Sequence, residues 1–248
     1  MSKRRRVVLT AVSLLGFVVF WNAAGAIGLL PFFPTMPKVA AALLEDAAAL
    51  ADGAVATATR ALIGLAIGAG LGLLSALFMA WSRTATAVMD PYVTMMKSIP
   101  GMALIPVFIL WFGLAEAARV AFVATLTFFV VFVAAAEAIP NVPRVYGWAA
   151  STLGATRREI YLHVVLPSIL PNMFGGLRNA VTLSFAIAVA AEFIGAQSGL
   201  GWYILHVGIN YRMDAMVGGV IAITLLAVFF DNLVLLAGGR LLRWAERT

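Results

Sequence analysis

Apolar residues fall in runs too long for a strand and longer than most soluble helices. They cover Val7 to Leu30, Ala56 to Trp81, Val88 to Phe112, Arg119 to Ile139, Met173 to Gly195 and Met216 to Gly238. Crossing a hydrocarbon core takes roughly 20 apolar residues, so the pattern predicts six transmembrane helices. Each run must be helical, because lipid offers backbone groups no hydrogen bonds. The fold class is therefore an all-α integral membrane protein. Pro31, Pro34 and Pro37 break the chain after the first run. Residues 38–54 mix alanine and leucine with Glu45, Asp46 and Asp52 and read as a short interfacial helix. The chain divides into a first helix with this segment (1–55), a core (56–240) and a tail (241–248).

Composition agrees with the pattern. Of 248 residues, 63% are hydrophobic and 11% charged, against about 25% charged in ordinary soluble domains. The net charge of +6 does not mark a nucleic-acid face, because the charges sit at the ends of apolar runs. With no cysteine, disulfides and thiolate metal sites are excluded. Lys3 to Arg6 followed by an apolar run resembles a signal peptide, with Ala23 to Ala26 as its cleavage site. The run continues to Leu30, which favours an uncut helix.

Charge bias sets direction. With a cytoplasmic N-terminus, eleven basic residues fall inside: Lys3, Arg4, Arg5, Arg6, Arg83, Arg144, Arg157, Arg158, Arg240, Arg243 and Arg247. Four fall outside: Lys38, Arg60, Arg119 and Arg212. The positive-inside rule then puts both termini and the loop after the fourth helix in the cytoplasm. Residues 38–54 become periplasmic.

Within the spans, Gly64, Gly68 and Gly72 form a small-residue stripe, read as close packing inside the bundle or as a subunit contact. Pro91, Pro100 and Pro106, with Gly101, bend the third span. The charges inside apolar runs that stand out as candidates are Lys97, Arg178, Glu192 and Asp231. Charges at membrane depth pair or face water. Arg178 and Asp231 sit at similar depths in antiparallel spans, so an ion pair between them is expected, within about 8 Å; the other reading of Arg178 is attraction of an anion. Glu192 is read as a gate hinge or a partner of Arg60. Lys97 either snorkels to the interface or lines a pathway. His163 and His206 stand apart, so no metal site is expected. No phosphate-binding loop of the form G-x-x-x-x-G-K-[ST] occurs, and no nucleophile–histidine–carboxylate set is visible. The chain reads as a non-enzyme.

The loop from Val142 to Leu170 carries the sharpest signal. It is basic and amphipathic, with short helices expected around Tyr146 to Leu153 and Ala155 to Val164. Gly154 permits the bend between them, and Pro167 is expected to stop the second. The loop resembles the cytoplasmic coupling motif of ABC importer permeases: Glu-Ala-Ala, three residues, Gly, nine residues, Ile or Val, any residue, Leu-Pro. Here Ala149, Ala150, Gly154, Val164, Leu166 and Pro167 fall at that spacing, with Trp148 where the family has Glu. The resemblance runs from about Thr57 to Arg243. DPYVTMMKSIPGMALIPVFILWFG at 90–113, GGLRNA at 175–180 and AEFIGAQSGLGWYI at 191–204 are similar to the subfamily importing sulfonates, taurine and nitrate.

The resemblance implies the six-helix type I importer permease fold, in the bacterial inner membrane. It implies a periplasmic or lipid-anchored binding protein that delivers solute, a permease homodimer and two ATPase subunits. ATP and Mg would sit on the ATPases, with no cofactor on this chain. Arg157, Arg158 and Glu159 are expected beside the motif as ATPase contacts. Other solutes in view are an aromatic carboxylate, a vitamin-precursor pyrimidine or bicarbonate. A self-contained secondary transporter or channel, and a membrane scaffold, are the readings from other classes.

Overall fold

The computed structural model describes residues 3–27 and 32–241. The end of the first predicted span (28–30) and most of the tail (242–248, with Arg243 and Arg247) lie outside the described residues, as do the side chains of Lys3, Arg4, Arg6, Arg83 and Arg240. Eleven α-helices are described. They are α1 (Lys3–Ile27), α2 (Met36–Glu45), α3 (Ala47–Trp81), α4 (Arg83–Ser98), α5 (Ile105–Phe112) and α6 (Glu116–Ala138), then α7 (Arg144–Thr152), α8 (Arg157–Ile160), α9 (Leu166–Glu192), α10 (Leu200–Ile209) and α11 (Met213–Leu241).

Five stretches are long and apolar enough to cross a membrane: α1, α3, α6, the run from α8 through α9, and α11. The sixth predicted span is broken. Between α4 and the turn that opens α5, the axis bends by 92°. Pro100 supplies no donor and pushes Ile99 into an extended conformation (φ −72°, ψ 119°). Pro91 is carried inside α4 and Pro106 opens α5, so only one of the three prolines makes the break.

Two other expectations shift. The acidic stretch 38–54 is not one interfacial helix. It breaks at Asp46, and α3 then runs 35 residues to Trp81. The division at residue 55 therefore falls inside a helix. Pro167 does not stop a helix either; it sits in the first turn of α9, where a missing N–H costs least. The turn before it, Tyr161–Val165, is π-helical, and the Leu166 N–H donates to Tyr161 O. That wider turn carries the chain into α9 without a stop. The ten-residue α10 had no counterpart in the hydropathy pattern, being too short to register as a span.

The packing centre is α6, held between α3 and α9. Ala61, Leu65 and Ala69 of α3 meet Val123 and Val131 of α6 and Ala180, Val181 and Phe185 of α9. Lipid is as apolar as leucine, so close packing rather than dehydration holds these helices together. The glycine stripe makes that possible within the chain. A Cβ on Gly64 would lie 2.6 Å from Val123 Cβ. One on Gly68 would collide with the Ala124 carbonyl and the Thr127 hydroxyl. The stripe is thus the α3–α6 seam.

Candidate functional site

The bundle has two contrasting ends. At one, the starts of α3, α6 and α10 meet the end of α9. At the other, the ends of α3 and α6 meet the start of α9, and the turn that follows α7 and α8 reaches the end of α3 through Tyr161.

The first end holds a buried ionic knot. Glu192 is 1% exposed and accepts from three donors. Arg60 Nη1 lies at 2.5 Å, Gly201 N at 2.8 Å, and Thr57 Oγ1 at 2.9 and 3.0 Å from the two oxygens. Arg60 engages Oε1 and Gly201 engages Oε2, and the single Thr57 hydroxyl lies between the two oxygens. Arg60 also forks onto Glu116, with Nε to Oε2 at 2.6 Å and Nη2 to Oε1 at 2.8 Å. It donates further to Ser198 O and Ser198 Oγ, both at 2.8 Å. Arg119 joins through Glu116 Oε1 (3.1 Å) and Gly195 O (2.6 Å). A charge buried alone costs several kcal/mol; here two cations face two anions. The positive-φ glycines Gly195 (φ 66°) and Gly199 (φ 111°) shape the loop over Glu192. A Cβ on Gly199 would strike the Glu192 carboxylate. The AEFIGAQSGLG stretch is therefore the strap of this knot. Arg60 was a sequence candidate only as a partner of Glu192. Glu116 and Arg119 were missed, having been assigned to the outer flank; their one signal was charge at both edges of the same loop.

Close by, Asp46 accepts from Tyr203 Oη (2.7 Å) and pairs with Arg212 (3.0 Å). Burial and the Asp46 carboxylate push the Tyr203 phenol up, so it remains a donor at physiological pH.

The second end is an elbow, and none of α7, α8 or the π-turn contains a buried residue. Ala149 and Ala150 lie on α7. Gly154 turns the chain at φ 85°, a left-handed position that favours glycine. Ala155 N donates to Ala150 O at 3.1 Å and closes the helix end. Glu159 is committed locally. Its Oε2 accepts from Thr156 N and Thr156 Oγ1, both at 2.7 Å, while Thr156 Oγ1 accepts from Glu159 N. This is a capping box. Arg157 and Arg158 are exposed. Val164, Leu166 and Pro167 lead into α9. Tyr161 anchors the elbow to the bundle, donating to Leu77 O at 2.8 Å and meeting Trp81 edge-on at 5.0 Å. Trp148 is 68% and Leu153 89% exposed. His163 sits against Glu159 O, and His206 stacks on Trp202. Among the described residues no group of three or more His, Asp or Glu gathers as a metal site.

Between the ends lie the other intramembrane charges. Arg178 and Asp231 form a two-point pair, Nε to Oδ1 and Nη2 to Oδ2, each 2.7 Å. Lys97 pairs with Glu137 near the end of α6, a partner that sequence reasoning did not name.

A bundle of helices long and apolar enough to cross a membrane, knotted at one end and with an exposed elbow at the other, places the chain among integral membrane proteins. The chain belongs to the family described as binding-protein-dependent transport system inner membrane component, whose model matches residues 68–243. It is a transport component of the inner membrane: the permease of an ATP-driven importer of a small solute. It is 32% identical to the aliphatic sulfonates transport permease SsuC of Escherichia coli K12, over 93% of this chain and 89% of that one. It is 27% identical to the taurine transport permease TauC of the same strain, over 92% and 86%. It is 31% identical to the formylaminopyrimidine transport permease ThiX of Halalkalibacterium halodurans, over 75% and 74%. The fold is similar to a chain of the inward-facing MetNI methionine ABC transporter, with a TM-score of 0.59 at 21% identity, over 79% of this chain and 94% of that one.

Proposed function

We propose that the elbow is the socket through which two ATPase subunits drive two copies of this chain to import a sulfonate. Taurine or a simple alkanesulfonate is the solute that the similarity to SsuC and TauC favours. The exposure of the elbow carries the reading: it presents Trp148, Leu153, Arg157 and Arg158 to solvent with its own backbone already capped. In this reading both termini and the elbow face the cytoplasm. A periplasmic or lipid-anchored binding protein delivers solute to the knot end, and ATP with Mg stays on the ATPases. Ala149, Ala150, Gly154, Val164, Leu166 and Pro167 hold the socket's shape. Trp148 replaces an acidic contact with an apolar one.

A second solute class rests on the similarity to ThiX: a formylated pyrimidine carried by the same mechanism. Reconstitution with the ATPase and binding protein decides. Labelled taurine should enter liposomes only when ATP, ATPase and binding protein are all present. Uptake of the pyrimidine instead selects the second solute. Flux through the chain alone would overturn the coupled mechanism in favour of a secondary transporter.

A further inference from the structure

The exposed faces of the spanning helices differ in chemistry. On α3 the exposed large residues include Ile63, Ile67, Leu71, Leu74 and Phe78. On α11 they include Ile221, Leu225 and Phe229, and the exposed Thr224 and Asn232 donate to the Val220 and Val228 carbonyls of the same helix. Acyl chains can cover both faces. On α9, apart from Leu170 and Leu183 at the margin of exposure, the exposed positions are Asn172, Gly175, Asn179, Thr182 and Ala186. Their spacing of three and four residues makes one continuous helix face. It runs about 21 Å at 1.5 Å per residue, roughly two-thirds of a hydrocarbon core of about 30 Å.

Lipid cannot cover that face. The Asn172 and Asn179 amides and the Thr182 hydroxyl have no hydrogen-bond partner among the described residues. Each amide offers two donors and an acceptor, and hydrocarbon satisfies none of them. Arg178 lies in the same row, three residues from Gly175 and four from Thr182. Its side chain is 43% exposed even while paired with Asp231. Sealing the face against another protein surface would strip water from that charge pair, which is costly without further partners. Water meets every one of these demands.

We infer that Asn172, Asn179 and Thr182 line the hydrated route of the solute, with Gly175 as a side-chain-free notch between the two amides. This rests on the permease reading above. The paired Arg178 and Asp231 add no net charge, so the route offers hydrogen bonds without an electrostatic trap. Such a lining passes small polar oxyanions and holds none tightly.

The absence of cysteine makes the test direct. Asn172→Cys, Asn179→Cys and Thr182→Cys are made one at a time in the full chain, assembled with its ATPase in nanodiscs. Leu71→Cys on the lipid-facing side of α3 and Ala180→Cys in the core serve as references. A charged, water-soluble methanethiosulfonate should label the three test sites about tenfold faster than either reference, since only a hydrated thiol ionises readily. Scoring three sites guards against one variant failing to fold. Labelling at all three no faster than at Leu71→Cys overturns the inference. Full oxidative cross-linking of Asn179→Cys to a second copy, without labelling, also overturns it and assigns the face to a subunit contact. ATP-dependent uptake by the unsubstituted chain, the test of the permease reading, is scored separately, so neither result bears on it.

Discussion

The knot and the elbow solve opposite problems with the same residue types. At the knot, Arg60 and Glu192 have side chains 6% and 0% exposed. They are satisfied by partners far away in sequence: Thr57 with Glu192, Arg60 with Ser198, Arg119 with Gly195. At the elbow, Thr156 and Glu159 satisfy each other three residues apart, and the arginines between them face solvent. Long-range bonds make the knot rigid and dependent on the whole fold. Local bonds let the elbow keep its shape while one face stays free for a partner.

The comparison breaks most sharply at Glu192. Glu192→Ala leaves Arg60 short of an anion and strands the Thr57 hydroxyl and the Gly201 N–H. Removing one member of a buried pair costs about 3–5 kcal/mol. The expected outcome is a large fall in the thermal unfolding midpoint in detergent, with little folded protein recovered. An unchanged midpoint would show that the knot does not hold the fold. Next comes Gly68→Val on the α3–α6 seam. With the Ala124 carbonyl and Thr127 hydroxyl in the way, it should cost about 3 kcal/mol, the upper end of ordinary overpacking penalties. The same assay measures it.

The contrast with Gly154 sharpens the elbow. A Cβ there meets nothing within 4 Å, so Gly154→Val clashes with no neighbour. Its cost is the left-handed backbone, about 1–2 kcal/mol, confined to the bend. The protein should reach the membrane and bind its ATPase, yet hydrolyse ATP with uptake largely lost. Paired uptake and ATPase assays in proteoliposomes check this; normal coupled uptake would remove the bend from the mechanism.

Legibility in the sequence followed the range of the interaction. The spans were readable because membrane thickness imposes a length on each apolar run. Arg178 and Asp231 could be paired because depth in antiparallel helices fixes which charges meet. The bend at Gly154 was readable from spacing and residue type alone. The knot was only half readable. Glu192 and Arg60 stood out as charges near apolar runs, but Glu116 and Arg119 looked like ordinary flanking residues. Only the folded strap of Gly195 and Ser198 shows that they are shared. The break at Pro100 rather than Pro91 or Pro106 was hidden for a related reason. A proline's effect depends on whether the carbonyl it leaves unpaired finds another partner, which is a tertiary fact. The π-turn ahead of Pro167 had no sequence signature at all.

The smallest effect separates a cap from a contact at the elbow. Thr156→Ala removes the hydroxyl that caps Glu159 N and one of the two donors to the Glu159 carboxylate. Loss of a threonine cap costs about 1 kcal/mol, and α8 is only four residues long. The start of the helix should fray, and Arg157 and Arg158 should become a better trypsin site. Limited proteolysis of purified protein should then cut there a few times faster, about the factor that 1 kcal/mol implies if cleavage follows local opening. Thr156→Ser, which keeps the hydroxyl, should cut at the wild-type rate. Adding the ATPase should protect both variants if Arg157 and Arg158 lie under it. Protection lost in Thr156→Ala but kept in Thr156→Ser would mean that the cap presents the arginines, so that a local bond governs how the elbow meets its partner.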